Sequence, residues 1–207
     1  MTRLIFVRHG ETHKNVAKVL HGTKDDAPLN GTGRRQAEIS AGALTKMNVS
    51  VVYSSTELRA RETAQIIGKV CNIPTIYIDN FRERSWGVFE GRPWSDVIKV
   101  LGPLTLEDRF RYKPEEGESW QELEERLVLE VKRILNNNPK KNAVIVTHGG
   151  TIRTLIPYLL GTSRDESFKY DPRHLSFTIF DFENGKFKKV MIDDVSHLDI
   201  DVRSQDK

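Results

Sequence analysis

Two apolar runs in this 207-residue chain end in the same way. Leu4-Ile-Phe-Val7 is followed by Arg8, His9 and Gly10, and Val144-Ile-Val-Thr147 by His148, Gly149 and Gly150. A guanidinium such as Arg8 is too strongly charged to be buried without a partner. Gly10 and Gly149 allow tight turns and close backbone approach. A helix that starts after such a run presents free N–H groups to an anion. Arg8, His9 and His148 together therefore suggest a phosphate pocket. A third segment, Ser54-Ser-Thr-Glu-Leu-Arg59, places Arg59 one turn into a helix, and guanidinium forks match phosphate oxygens. Each residue also has a plainer reading. A lone histidine at a strand end is most often a satisfied structural residue. Arg59 and Arg61, with Glu57 and Glu62, also fit a solvated helix face.

The chemistry such a pocket supports is phosphoryl transfer. A neutral imidazole whose second nitrogen is held by an acceptor is a nucleophile toward phosphorus. Two arginines and a second histidine can bind the equatorial oxygens as charge gathers there. Charge-assisted hydrogen bonds contribute about 1.5–3 kcal/mol each, so four donors supply much of the binding. A departing alkoxide then needs a proton, and Glu83 in Phe81-Arg-Glu-Arg-Ser-Trp-Gly87 is the candidate.

These residues need a scaffold that brings distant strand ends together. The run Leu4–Val7 reads as a buried parallel strand, Val49–Ser54 and Thr75–Ile78 as a second and third strand, and Ala143–Thr147 as a fourth, apolar one. Helices are expected from Thr32 or Gly33 to about Lys46, from Glu57 to Val70, from Ser119 to about Asn136, and from Gly149 or Gly150 to Leu160. Ser119 and Glu122 have the spacing of a capping box. Asn136 to Lys141 reads as a surface turn. Ser176–Phe182 and Lys186–Ile192, split by Glu183-Asn-Gly185, read as a hairpin. The tail from Val195 either pairs with a neighbouring element or frays. This alternation predicts an α/β fold, a three-layer α/β/α arrangement with a mostly parallel central sheet. Ligands of such sheets sit at the carboxyl ends of the strands. Phe81 to Trp120 breaks the rhythm and holds seven of the 17 aromatic residues, including all three tryptophans. We read it as a small cap, about 81–118, over the strand ends of one domain spanning 1–207.

Composition narrows the classes of function. Hydrophobic content of 38% and charged content of 29% suit a soluble globular protein. A net charge of +3 mildly favours anionic small molecules and demands neither nucleic acid nor membrane. The one cysteine, Cys71, allows no disulfide within the chain, so a cytoplasmic location is expected. The apolar stretch after Arg3 is too short for a signal-peptide core, and no run approaches the roughly 20 residues of a membrane span.

The motifs, taken in order, resemble the histidine phosphatase superfamily, which includes cofactor-dependent phosphoglycerate mutase. They are Leu4-Ile-Phe-Val-Arg-His-Gly-Glu-Thr-His-Lys-Asn15, Pro28-Leu-Asn-Gly-Thr-Gly-Arg-Arg-Gln-Ala37, Ser54 to Ala64, Phe81 to Gly91, Gly117-Glu-Ser119 and Val146 to Arg153. The resemblance implies that His9 is a nucleophile forming a phosphohistidine. Arg8, Arg59 and His148 would bind the phosphoryl group. Glu83 would donate a proton and later activate water. Asn15 matches a family position that contacts phosphate, and Gly149 would offer a backbone N–H. No metal and no cofactor is implied.

Mutases of this superfamily carry a longer insertion after the acid segment, with added Lys, Arg and Tyr residues. Here the spacer from Gly91 to Gly117 is short, and Trp86 and Trp94 stand where those groups are expected. Indoles are poor substitutes for cations around a doubly charged acid. The expected activity is therefore hydrolysis of a small-molecule phosphomonoester, with Trp86 and Trp94 as substrate contacts. Packing under the cap is the other reading of these aromatics. Phosphoglycerate mutase is the alternative activity, and a non-catalytic phospho-ligand binder the alternative of another class. A binder would be expected to have lost His9 or Glu83. A zinc pair from His9 and His13 is disfavoured by Gly10 and by the place of Glu11. Gly31-Thr-Gly33 is not a dinucleotide fingerprint, and no GK[ST] loop occurs. His13, His21, His174 and His197 are expected to be structural or exposed. No sequence signal specifies the oligomeric state.

Overall fold

A computed structural model describes residues 1–22, 27–137 and 140–202. In chain order the elements are β1 (Thr2–Arg8), α1 (His13–Val16), α2 (Gly31–Leu44), β2 (Val49–Ser54), α3 (Leu58–Cys71), β3 (Thr75–Tyr77), α4 (Trp94–Leu101), α5 (Leu106–Arg111), α6 (Trp120–Asn137), β4 (Asn142–Thr147), α7 (Gly149–Leu160), β5 (Phe177–Glu183) and β6 (Lys186–Asp194). The strands form one sheet in the order β3-β2-β4-β1-β5-β6. The four strands from β3 to β1 run parallel, and the β5–β6 hairpin is added antiparallel beside β1.

The continuous apolar runs follow from burial on both faces. Leu4, Phe6, Val51, Tyr53, Ala143 and Ile145 face Leu123, Leu127 and Val131 of α6 and Ile152 and Leu155 of α7. Ile5, Val7, Val52, Val144 and Val146 face Ala37, Ala41 and Leu44 of α2 and Ala60, Ala64 and Ile67 of α3. Each fully buried aliphatic side chain contributes about 1.5–3 kcal/mol of transfer free energy. Three layers result, as the alternation predicted. Among the described residues, no helix is long and apolar enough to cross a membrane.

Local signals hold at the ends of elements. Glu122 N donates to Ser119 Oγ at 3.1 Å and Ser119 N to Glu122 Oε2 at 2.8 Å, closing the capping box. Asn184 and Gly185 have φ of 52° and 77°, the left-handed pair a two-residue hairpin turn needs. Of the expected surface turn, Asn138 and Pro139 lie outside the described residues. The tail packs rather than frays as far as it is described. Val195, Leu198 and Val202 are buried on the α2–α3 face, and Gln36 Nε2 donates to the Val202 carbonyl at 2.7 Å. Residues 203–207 lie outside the described residues.

The segment from Phe81 to Trp120 contains two helices that the sequence reading did not resolve. Trp94, Val97 and Leu101 carry a helical spacing in α4, but over only eight residues. Phe81, Trp86, Phe89, Phe110 and Trp120 join the core on the α6–α7 side. Most of the aromatics in this segment are therefore occupied in packing.

Candidate active site

β1 and β4 are central neighbours, and Arg8 pairs with Thr147. The residues that follow, His9 and His148, emerge side by side, with ring centroids 5.2 Å apart. His9 N donates to the Thr147 carbonyl at 2.9 Å, which fixes where the backbone leaves the sheet. The His9 ring is buried, and its Nδ1 lies 2.8 Å from the Gly10 carbonyl oxygen. A carbonyl only accepts, so Nδ1 carries the proton and Nε2 the lone pair. Arg59 Nε donates toward that lone pair at 3.3 Å.

Burial, then the charges of Arg59, His148, His174 and Arg8, hold the His9 pKa well below the ordinary 6.5. The folded ring thus stays neutral where the unfolded one would gain a proton. Between pH 6.5 and the lower folded value, the unfolded chain binds more protons. Stability is therefore present in full above pH 6.5 and declines as the pH falls below it. Thermal melts should show Tm falling from pH 6.5 toward about 5. His9→Asn should flatten that slope, and an unchanged slope would mean that His9 is not held neutral.

Arg59 and Glu57 enter from the start of α3. Arg59 is 1% exposed, Glu57 5% and His148 0%, so the solvated-face reading fails for Arg59 and Glu57. It holds for Arg61, which is exposed and lies over the Tyr77 ring at 5.5 Å. Arg59 Nη2 donates to Glu57 Oε2 at 2.6 Å. His148 Nε2 lies 2.8 Å from the same oxygen and 2.8 Å from Ser55 Oγ. Arg8 reaches back to donate from Nη1 to the Pro172 carbonyl at 2.8 Å.

Glu83 is placed by main-chain donors. Its Oε1 accepts from Arg84 N at 2.8 Å and its Oε2 from Gly150 N at 2.9 Å. A Cβ on Gly150 would lie 2.4 Å from Glu83 Oε1, so the carboxylate sits where only glycine allows it. The loop that carries Glu83 is clasped from α6. Arg126 Nη1 donates to the carbonyls of Asn80 and Arg82 at 2.6 and 3.0 Å, and Nη2 to that of Glu83 at 3.1 Å. The same guanidinium forms a two-pronged pair with Glu118, at 2.7 and 2.8 Å. Arg84 closes the other side, donating to the carbonyls of Glu118 and Tyr112 at 2.7 and 2.8 Å.

Arg8, His9, Asn15, Arg59, Glu83, Trp86, Trp94 and Gly149 all line one cavity of about 330 Å³. Asn15 is held by a capping box of its own, its Oδ1 accepting from Thr12 N at 3.1 Å. Trp94 is 38% exposed at the rim, whereas Trp86 is 5% exposed. Trp86 packs edge-on to Trp94 and Trp120, with the Arg84 guanidinium over its ring at 4.1 Å. Packing therefore accounts for most of Trp86, and Trp94 is the indole with free surface.

Several residues of the site escaped the sequence reading. His21 was expected to be structural or exposed, yet it lines the cavity with its ring 6.1 Å from that of His9. His174 is buried 5.5 Å from the His9 ring. Glu57 and Ser55 form the backing of His148. Lys18 and Arg153 add cations to the cavity wall, and Arg153 Nη2 pairs with Asp171 Oδ1 at 2.9 Å. Asp171 lines the same cavity and offsets the Arg153 charge, so the outer wall is more polar than a wall of indoles implied.

A sequence model of the histidine phosphatase superfamily (branch 1) matches residues 4–195. The chain belongs to the histidine phosphatase superfamily. Among its relatives in this superfamily, PhoE of Bacillus subtilis (strain 168), described as an uncharacterized phosphatase, is 33% identical over 78% of this chain and 79% of its own. The 2,3-bisphosphoglycerate-dependent phosphoglycerate mutase of Thermoplasma acidophilum is 31% identical over 88% of each chain. The solved structure of Bacillus stearothermophilus YhfR is 30% identical, with a TM-score of 0.85 over 95% of this chain and 99% of that one. Phosphatases and mutases thus both stand among the superfamily members this chain is similar to.

Proposed function

We propose that this chain is a metal-independent phosphomonoesterase that hydrolyses a small organic phosphate through a phosphohistidine on His9. The observation that carries the reading is the buried, neutral His9 ring. Arg59 Nε donates toward its Nε2 lone pair, the His148 ring lies 5.2 Å away, and Arg8 and Glu83 line the same cavity. Arg8, Arg59, Asn15, His148 and the Gly149 N–H hold the phosphoryl oxygens. The Nε2 lone pair forms the N–P bond as the ester P–O bond breaks, and the leaving oxygen takes a proton from Glu83. The Glu83 carboxylate then removes a proton from water. That oxygen attacks phosphorus, the P–N bond breaks, and the electron pair returns to Nε2. The flanking arginines stabilise charge on the equatorial oxygens in both steps. Trp94, and Trp86 behind it, line the side on which the leaving group sits. The lone Cys71 fits work in a reducing cytoplasm.

Purified protein is expected to hydrolyse p-nitrophenyl phosphate in the presence of a chelator. No turnover anywhere from about pH 5 to 8 would leave a phospho-ligand binder as the better reading.

Gly150→Ala offers a local test of the acid. A methyl at 2.4 Å from Oε1 must displace the Glu83 carboxylate. Misplacement by about 1 Å costs roughly 10²-fold. The variant should lose about that much kcat on an alkyl ester such as glycerol phosphate while keeping its Tm within a few degrees. An unaltered kcat would mean that the position of Glu83 does not matter.

Lys18 favours a second reading, phosphoglycerate mutase, because its ammonium on the cavity wall would meet a further anion on the substrate, whereas Arg153 is already paired with Asp171. The discriminating measurement is 3-phosphoglycerate isomerisation with and without 2,3-bisphosphoglycerate. Stimulated isomerisation that outpaces phosphate release would replace the hydrolase.

A further inference from the structure

We propose that Glu57 is a positioning residue that presents His148 to the phosphoryl group as an imidazolium and locks Arg59 in place with the same carboxylate oxygen. The inference rests on the phosphatase reading of this site and assigns a role to a residue that touches no substrate.

The geometry leaves little choice. Glu57 Oε2 lies 2.6 Å from Arg59 Nη2 and 2.8 Å from His148 Nε2. Both partners are buried, and both belong to the group that would grip phosphate. An ionised carboxylate only accepts, so His148 Nε2 must carry a proton. Ser55 Oγ, at 2.8 Å, shares that nitrogen and also accepts from Glu57 N at 3.3 Å, so it ties the carboxylate's own backbone to the same ring. With Nε2 committed, Nδ1 is the ring nitrogen left for a phosphoryl oxygen. It is buried and has no hydrogen-bond partner among the described residues. To donate to a phosphate dianion, Nδ1 must also be protonated, which puts a positive charge on the ring.

The charges that face His148 decide whether this happens. Glu57 and Arg59 face it from the start of α3, Glu83 from the clasped loop, and His9 from the end of β1. Burial, followed by these charges, leaves the His148 pKa below the ordinary 6.5, although Glu57 pulls it upward and Arg59 downward. Burial pushes Glu57 up, but His148 and Arg59 outweigh that and bring it to about 2. Glu57 is therefore ionised throughout the working range. A phosphate dianion arriving beside Nδ1 adds the charge that completes protonation of the ring.

Two measurements test this. In wild-type protein labelled with 15N-histidine, His148 should show an Nε2–H tautomer, with Nδ1 gaining a proton when inorganic phosphate or vanadate is added. A ring with its proton on Nδ1 and a bare Nε2 would overturn the assignment, and this readout needs no activity and no variant. In kinetics, Glu57→Gln keeps the shape and removes the charge. The alkaline limb of kcat/KM on p-nitrophenyl phosphate should move to lower pH by about one unit or more, with a loss near pH 7 of about tenfold or greater that narrows toward pH 5. Glu57→Asp restores the charge and should return the limb toward wild type even if the rate is lower. A loss equal at every pH in Glu57→Gln, or a limb in Glu57→Asp shifted as far as in Glu57→Gln, would reduce Glu57 to a structural ion pair. Absence of wild-type turnover would instead count against the phosphatase reading, and the tautomer measurement would still judge Glu57.

Discussion

His9→Ala should lower kcat on every phosphomonoester by at least about 10⁴-fold. The reason is specific to the ring. Its Nδ1 is fixed by the Gly10 carbonyl, so Nε2 carries the lone pair that would attack, met in the free protein only by the long 3.3 Å contact from Arg59 Nε, and burial favours its unprotonated form. The neighbouring His148 is not expected to take over, because its Nε2 is held against Glu57 and Ser55 and its Nδ1, on the proposal above, carries a proton once phosphate is bound. Arg8 and Arg59 have anchors of their own at Pro172 and Glu57, so the variant should still bind phosphate or vanadate with an affinity near that of wild type. Loss of turnover with retained binding is the signature of a missing nucleophile. Rapid quench with labelled substrate should recover an acid-labile, base-stable phosphoryl adduct from wild type and none from the variant. A variant retaining about a hundredth of wild-type turnover would remove His9 from that role.

Glu83→Gln should separate substrates by their leaving groups. General acid catalysis contributes about 10²- to 10⁴-fold, but only when the departing oxygen needs a proton. Adduct formation from an alkyl phosphate should slow within that range, whereas p-nitrophenyl phosphate should slow about tenfold or less. The contrast belongs in the adduct-forming step, because in the proposed mechanism Glu83 would also be the base for water in the second step and its loss there would affect all esters alike. Both Glu83 oxygens accept main-chain hydrogens, from Arg84 and Gly150. A glutamine has one acceptor oxygen and must give up one of these contacts. A control for placement is therefore needed, and Gly150→Ala, which displaces a carboxylate that can still ionise, supplies it. Equal slowing on both esters would mean that Glu83 does not protonate the leaving oxygen.

The centre of the sheet was legible because β1, β2 and β4 are buried on both faces and so appear as unbroken apolar runs, whereas β3 and β6 at the edges are largely exposed. The two His-Gly ends were legible for the same reason, since such a sheet gathers its strand ends. The capping box at Ser119 and the Asn184-Gly185 turn are local and need nothing from the fold. What stayed hidden depends on contacts across the chain. Glu57 looked like half of a surface pair until α3 was seen to begin beneath β4. His21 and His174 have no local signature, and only the path of the backbone brings them to His9. Gly150 was one of two adjacent glycines, and its need for the absence of a side chain comes from Glu83, 67 positions away. Arg153 was quoted within a motif but assigned nothing, and Lys18 fell outside every motif, so the outer cavity was read as more apolar than it is. The helices α4 and α5 are too short for periodicity to register.

The clasp formed by Arg84 and Arg126 bears on how such a chain diverges. Both guanidiniums grip main-chain carbonyls at the two roots of the excursion, groups that every amino acid supplies. Side chains between the roots can drift, lengthen or be swapped while the anchor points stay the same. A chimaera that grafts a foreign excursion between Arg84 and Glu118 should inherit the bond-breaking apparatus and acquire a new appetite for leaving groups.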